Sequence, residues 1–246
     1  DQAAVMAAQQ EQNLTNNKIF QQHNSLRLQT AIETTQPFAE HLLRFWSNHF
    51  TVAVSGGPKG VLRLIALPYE NEAIRSKLAA DFASLLLSVE QHPAMLIYLD
   101  NDTSFGPNSR VGRIRNRGLN ENLAREILEL HTLGVDGGYS QADVTSLAKM
   151  ITGWTVMRRE LNDRDRNPGN LGEFRFLQPV HETGTHSLLK KDYIANGVRQ
   201  GEAALVDIAQ HPATARHVAT RLVSHFVADA PPASAIEKIA AVFIQS

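Results

Sequence analysis

Residues 117–154 read R-G-L-N-E-N-L-A-R-E-I-L-E-L-H-T-L-G-V-D-G-G-Y-S-Q-A-D-V-T-S-L-A-K-M-I-T-G-W. This stretch decides the fold, because it reads as two helices joined by a tight turn. On a helix at 100° per residue, Leu119, Leu123, Ile127 and Leu130 fall within an arc of about 80°. Ala124, Leu128 and His131 widen that arc. The opposite side carries Glu121, Asn122, Arg125, Glu126 and Glu129. Asn120 is placed to cap the helix, since its side chain can accept from the free amides of the first turn. Gly134 is the expected left-handed stop, and Asp136-Gly137-Gly138 the turn. Ser140 with Asp143 three residues on has the form of a capping box. Val144, Leu147, Ala148 and Ile151 then make the apolar stripe of the second helix, which Gly153-Trp154 ends.

The polar side of the first helix has two readings. Glu121, Arg125 and Glu129 are spaced as a surface charge ladder. Alternatively, Asn122, Glu126 and Glu129 line a polar pocket, where carboxylates one turn apart can bind a metal or share a proton. A histidine such as His49 or His92 would complete such a catalytic set. His131 does not join it, because it lies about 140° from Glu126 and about 160° from Glu129 around the helix. It reads as a core histidine bonded to a backbone carbonyl. The Glu-x-x-His pattern of a di-iron helix is missing, since Glu129 follows Glu126 at that spacing and Thr132 follows Glu129. Arg110, Arg113, Arg115 and Arg117 precede the helix. Arg113, Arg115, Arg117 and Arg125 are candidates for anion binding, or else partners for the acids.

Composition sets bounds. The 246 residues suffice for one large domain, and the net charge of −1 gives no field towards nucleic acid or membrane. The sequence contains no cysteine, which excludes disulfides, zinc fingers, iron–sulfur clusters and thiol catalysis. The compartment, cytoplasmic or periplasmic, stays open. No run of 18 apolar residues offers a membrane span. The chain begins without Met and stops inside a helical pattern, so both ends of this single helical domain are expected to be cut.

The remaining segments are also mostly helical. Pro37 opens F-A-E-H-L-L-R-F-W-S-N-H-F, where His49 is either a buried, satisfied histidine or a functional group beside Asn48. Ser55 to Gly60 is Gly-rich but lacks the phosphate-loop spacing. Gln-His-Pro-Ala occurs at 91–94 and again at 210–213, each time as a helix corner with His92 or His211 as the cap. Met157 to Gly172 is a charged surface loop. Phe174-Arg175-Phe176 alternates and is expected to pair with Leu188-Leu189 in one small β-hairpin. His181, Glu182 and His186 are metal-ligand types in a polar loop without a strong motif.

Several of these segments together, F-W-S-N-H-F (45–50), H-P-A-M-L-I-Y-L-D (92–100), G-P-N-S (106–109), the long motif at 118–135, G-Y-S-Q-A-D-V (138–144), T-G-W (152–154) and H-P-A-T-A-R-H-V-A-T-R-L-V-S-H-F-V (211–227), resemble the bacterial family catalogued as domain of unknown function 1800. The resemblance implies a predominantly helical fold and supplies no established activity, cofactor or metal. It also implies a partner, an exported sulfatase-like protein encoded nearby. The expectation is therefore a mainly α, multi-helix bundle with one small hairpin near 174–189. Its function is that of a helical scaffold or binding module, or else of a hydrolase or metal-dependent enzyme using Asn122, Glu126 and Glu129 with a nearby histidine.

Overall fold

A computed structural model describes residues 2–54, 59–115, 118–157, 170 and 172–245. The expected turn at Ser55–Pro58, the side chain of Arg115, Arg117 and most of the charged loop after Met157 lie outside the described residues. The fold is mainly α, and helix makes up well over half of the chain. In order, the helices are α1 (Gln2–Glu33), α2 (Pro37–His49), α3 (Leu62–Tyr69), α4 (Phe82–Glu90), α5 (Pro93–Tyr98), α6 (Arg110–Arg115), α7 (Asn122–Glu126), α8 (Gln141–Met150), α9 (Val198–Ala209), α10 (Pro212–Phe226) and α11 (Ala233–Gln245). Two π-helical turns extend helices without a break, Glu70–Ile74 after α3 and Ile127–His131 after α7.

The apolar stripes meet as their spacing requires. Leu123, Ile127 and Leu128 from α7 and its π turn, Val144, Leu147 and Ala148 from α8, and Leu85, Leu86 and Val89 from α4 are all buried in one core. Leu43, Phe45, Trp46 and Phe50 of the α2 segment join it, as do Ala204, Leu205 and Ile208 of α9. A second, smaller cluster holds α10 to α11 through Ala215, Ala219, Val223, Ile236 and Ala240.

The local signals of the organising stretch take their expected form. Asn120 Oδ1 accepts from the amide of Asn122 at 2.9 Å. The Ser140–Asp143 capping box is complete, and Asp143 Oδ1 also accepts from the amide of Leu189 at 2.8 Å. Both His-Pro corners are caps: the amides of Ala94 and Ala213 donate to Nδ1 of His92 and His211 at 3.1 and 3.2 Å.

Two expectations are corrected. Leu130 belongs to the apolar arc of a regular helix, yet it is 48% exposed. The reason is the π turn: the i→i+5 ladder advances each residue by less than 100°, so Leu130 swings outward and His131 inward. The strand pairing also differs. Phe174–Phe176 pairs antiparallel with Trp154–Val156, not with Leu188-Leu189. His186–Leu188 instead folds back on Lys191–Tyr193. The two residues between them, Leu189 and Lys190, have φ of 50° and 67°. That is the doubly left-handed turn that suits a two-residue hairpin, and it usually advertises itself with Asn or Gly.

Candidate functional site

The π turn ends against three histidines. The last carbonyls of a helix have no partner within it and carry the negative end of its dipole. Here imidazoles supply the donors. His49, in the last turn of α2, bonds through Nε2 to the carbonyl of His131 at 3.0 Å. His217 of α10 bonds through Nε2 to the carbonyl of Leu130 at 3.0 Å. Each bond fixes a tautomer, with the proton on Nε2 and the lone pair on Nδ1. His131 is held by its other nitrogen: Nδ1 lies 2.7 Å from Glu90 Oε1, and both side chains are buried.

The surroundings hold these rings in place. His49 is 7% exposed and is packed by Phe45, Trp46 and Phe50, with ring centroids 5.9, 5.5 and 4.7 Å away. Burial, then the neighbouring His131, pushes its pKa down to about 3. Burial also lowers His217, although its bond to Leu130 works the other way. Gly134 stands close to His217 as well as turning the chain. Its φ is +83°, and a Cβ there would sit 2.8 Å from His217 Nδ1. An L side chain would be strained on both counts.

These groups open onto a concave cleft of about 340 Å³. Its walls include His49, His131 and His217, together with Asn48, Tyr98, Leu99, Glu126, Leu130 and Arg221. Of the sequence candidates, the structure therefore brings Glu126 and His49 together. Asn122 is exposed and Glu129 half-buried, and neither lines this cleft. His92 is spent as the cap of α5, with Nε2 3.4 Å from Glu72, and is not part of the cleft either. Arg125 pairs with Glu121 at 3.3 Å and donates to Gln141 at 2.9 Å. Arg113 is exposed.

Glu121 and Glu126 take different parts. Glu126 is half-buried, but among the described residues no arginine or donor reaches it. Glu121 accepts from Thr145 Oγ1 at 2.6 Å and from Gln141 Nε2 at 2.7 Å, tying α7 to α8. Those bonds, Thr145 first, hold its carboxyl below the usual range. Glu121→Ala is therefore expected to cost about 1 kcal/mol, and Glu126→Ala about 0.5 kcal/mol or less. Urea midpoints in the opposite order would refute this assignment of the two acids.

Sequence reasoning missed Glu90, His217 and Arg221, and it left out His131, which lines the cleft and is bonded to the Glu90 carboxylate rather than to a backbone carbonyl. A lone acid in the apolar run L-L-L-S-V-E was a usable signal for Glu90, since an acid on a buried stripe must be paired. His181, Glu182 and His186 do not open onto the cleft. Glu182 is buried and accepts from the amide and Nδ2 of Asn108 at 2.8 and 2.7 Å. Its own amide donates to Thr152 Oγ1 at 2.8 Å. These bonds clamp the G-P-N-S and T-G-W segments together. Among the described residues no three His, Asp or Glu side chains converge as a metal would require.

The architecture and the cleft define a mainly α-helical protein with a polar site at the end of a π turn. The chain belongs to the family described as protein of unknown function (DUF1800), whose family model matches residues 1–246. No curated protein and no solved structure matches it. Among the described residues, no helix is long and apolar enough to cross a membrane.

Proposed function

We propose that the cleft binds a small polar molecule, with Arg221 taking an anionic group and Glu126 a donor. One observation carries this reading. Among the described residues Glu126 and Arg221 have no hydrogen-bond or ion-pair partner, yet both line a cleft floored by oriented imidazoles. Surface charges are often unpaired. An acid and a base left unpaired in one concavity, beside perturbed histidines, are the usual marks of a ligand site. The reading draws on Glu126 and His49 from the residues of the enzyme alternative and leaves Asn122, Glu129 and His92 out of contact with the ligand.

The test is a thermal-shift and NMR screen of small carboxylates, amino acids and phosphate. Glu126→Gln and Arg221→Ala should each weaken a hit by about tenfold or more while leaving the melting temperature of the free chain unchanged. A hit that both variants bind like the wild type, or no hit at millimolar concentration, counts against the cleft.

A second reading, the scaffold, is supported by the apolar side chains that α1 leaves in solvent. Val5, Met6, Leu14, Leu26 and Leu28 are each more than half exposed, although at 100° per residue they are spread around the helix rather than gathered on one face. An exported sulfatase-like partner is implied by the family resemblance alone. Pull-down with and without residues 1–33 tests it: retention that survives the deletion removes α1 from the interface.

A further inference from the structure

We propose that Glu90 and His131 form a carboxylate–imidazole dyad whose free nitrogen, His131 Nε2, is the proton acceptor of the cleft, making the chain a hydrolase that activates water against a small carboxylic ester. The proposal rests on the cleft being a ligand site. It adds an activity and two residues that the binding reading does not need.

The geometry is that of an oriented base. Glu90 Oε1 accepts the Nδ1 proton of His131 at 2.7 Å, so the lone pair of the neutral ring lies on Nε2. A carboxylate in that position fixes the tautomer and stabilises the imidazolium as it forms. The ring is also locked by packing, with Phe50 edge-on at 5.2 Å. Among the described residues Nε2 has no hydrogen-bond partner, and His131 lines the cleft.

Stability does not account for Glu90. It is fully buried in an apolar helix, and among the described residues its second oxygen, Oε2, has no partner. Tyr69, whose phenol is pushed up by burial and then by the Glu90 charge, gives its proton to the carbonyl of Phe50 at 2.8 Å instead. An apolar pair in place of Glu90 and His131 together would fold as well or better. A half-satisfied buried carboxylate bonded to a histidine that faces a cleft is explained by what it does to that histidine.

Water is the nucleophile. The sequence contains no cysteine, and of the two hydroxyl side chains lining the cleft Thr51 donates Oγ1–H to the carbonyl of Asn48 at 2.7 Å, while Tyr98 is a phenol whose acyl ester would itself need water to release it. His131 Nε2 takes a proton from water as the water oxygen bonds to the acyl carbon, and the carbonyl electron pair moves onto oxygen near Arg221. The tetrahedral species collapses, the bond to the alkoxide breaks, and the imidazolium returns its proton to the leaving oxygen. The products are an acid and an alcohol, with no change in oxidation state. An ester suits one neutral base and water, because its leaving group accepts the same proton.

The test needs no natural substrate. Diethyl pyrocarbonate acylates unprotonated imidazole nitrogens, and mass spectrometry maps the sites in the intact chain. His131 should be modified in the folded chain, though more slowly than the exposed His41. In Glu90→Gln, where an amide oxygen still accepts from Nδ1, its rate should fall several-fold. The second arm is hydrolysis of p-nitrophenyl acetate, expected above the buffer rate and reduced about a hundredfold in His131→Asn. An unmodified His131, or a Glu90→Gln rate identical to the wild type, overturns the dyad and leaves the cleft to its own ligand screen. If Glu90→Gln does not fold, the hydrolysis arm decides. A wild-type rate equal to buffer, or an unchanged rate in His131→Asn, overturns the hydrolase assignment.

Discussion

Trp154→Ala should lower the unfolding free energy by about 4 kcal/mol, whereas Trp154→Phe should cost only about 1 kcal/mol. Trp154 is fully buried and is the bulkiest of the fully buried side chains. It opens the first β-strand directly behind α8, with Phe174 edge-on at 6.0 Å. Its partner across the core is an absence: a Cβ on Gly201 of α9 would come within 2.7 Å of Trp154 Cζ2. The indole thus fills a space that α9 was shaped to leave, and alanine would open a cavity that helices on both sides cannot close. Phenylalanine refills most of it. It also removes the indole N–H, which among the described residues is buried without an acceptor, and losing an unsatisfied donor offsets part of the lost contact. Urea unfolding followed by circular dichroism separates the two variants. Both within 1 kcal/mol of the wild type would show that the core relaxes around the ring.

Much of this fold could be read from local chemistry. Ser140 with Asp143, Gly134 after the first helix, and the two His-Pro corners act within a few residues, so their sequence signals and their structures coincide. The same holds for the apolar stripe of α8. The π turn at Ile127–His131 was not legible, because the residues I-L-E-L-H fit a regular helix equally well. Only tertiary contact, with His49 and His217 capping the last carbonyls, selects the wider ladder. The strand pairing failed for a related reason: Phe174–Phe176 chose the partner that closes over Trp154, and Leu189-Lys190 turned without glycine. The site divides in the same way. Glu126 and His49 carried their own hints, an acid on the polar side of a helix and a histidine in an aromatic helix. The bonds that organise the cleft join residues separated by 41, 82 and 87 positions. No periodicity within a helix encodes those pairings.

The largest pH effect should come from His49. Its pKa is held at about 3 in the folded chain against an ordinary value of 6.5. For a base with a depressed folded pKa, the unfolded chain takes up the proton first. Stability is therefore complete above pH 6.5 and falls as the pH drops below it, until the folded chain itself protonates near pH 3. The slope for one such group is about 1.4 kcal/mol per pH unit, or about 2 kcal/mol by pH 5. His92, His181, His186 and His217 are lowered too, all chiefly by burial, and steepen the fall. The carboxyls of Glu40 and Glu121 are also lowered, but from an ordinary value of 4.5, so they contribute only at more acid pH. The window from pH 6.5 to 5 therefore belongs to the histidines. His49→Gln keeps an N–H for the carbonyl of His131 and removes the titration. Urea midpoints at pH 7.5 and 5.0 should differ less in this variant than in the wild type, by an amount near that 2 kcal/mol. Parallel losses in the two proteins would mean that His49 protonates in place, with water already reaching the ring that Phe45, Trp46 and Phe50 surround.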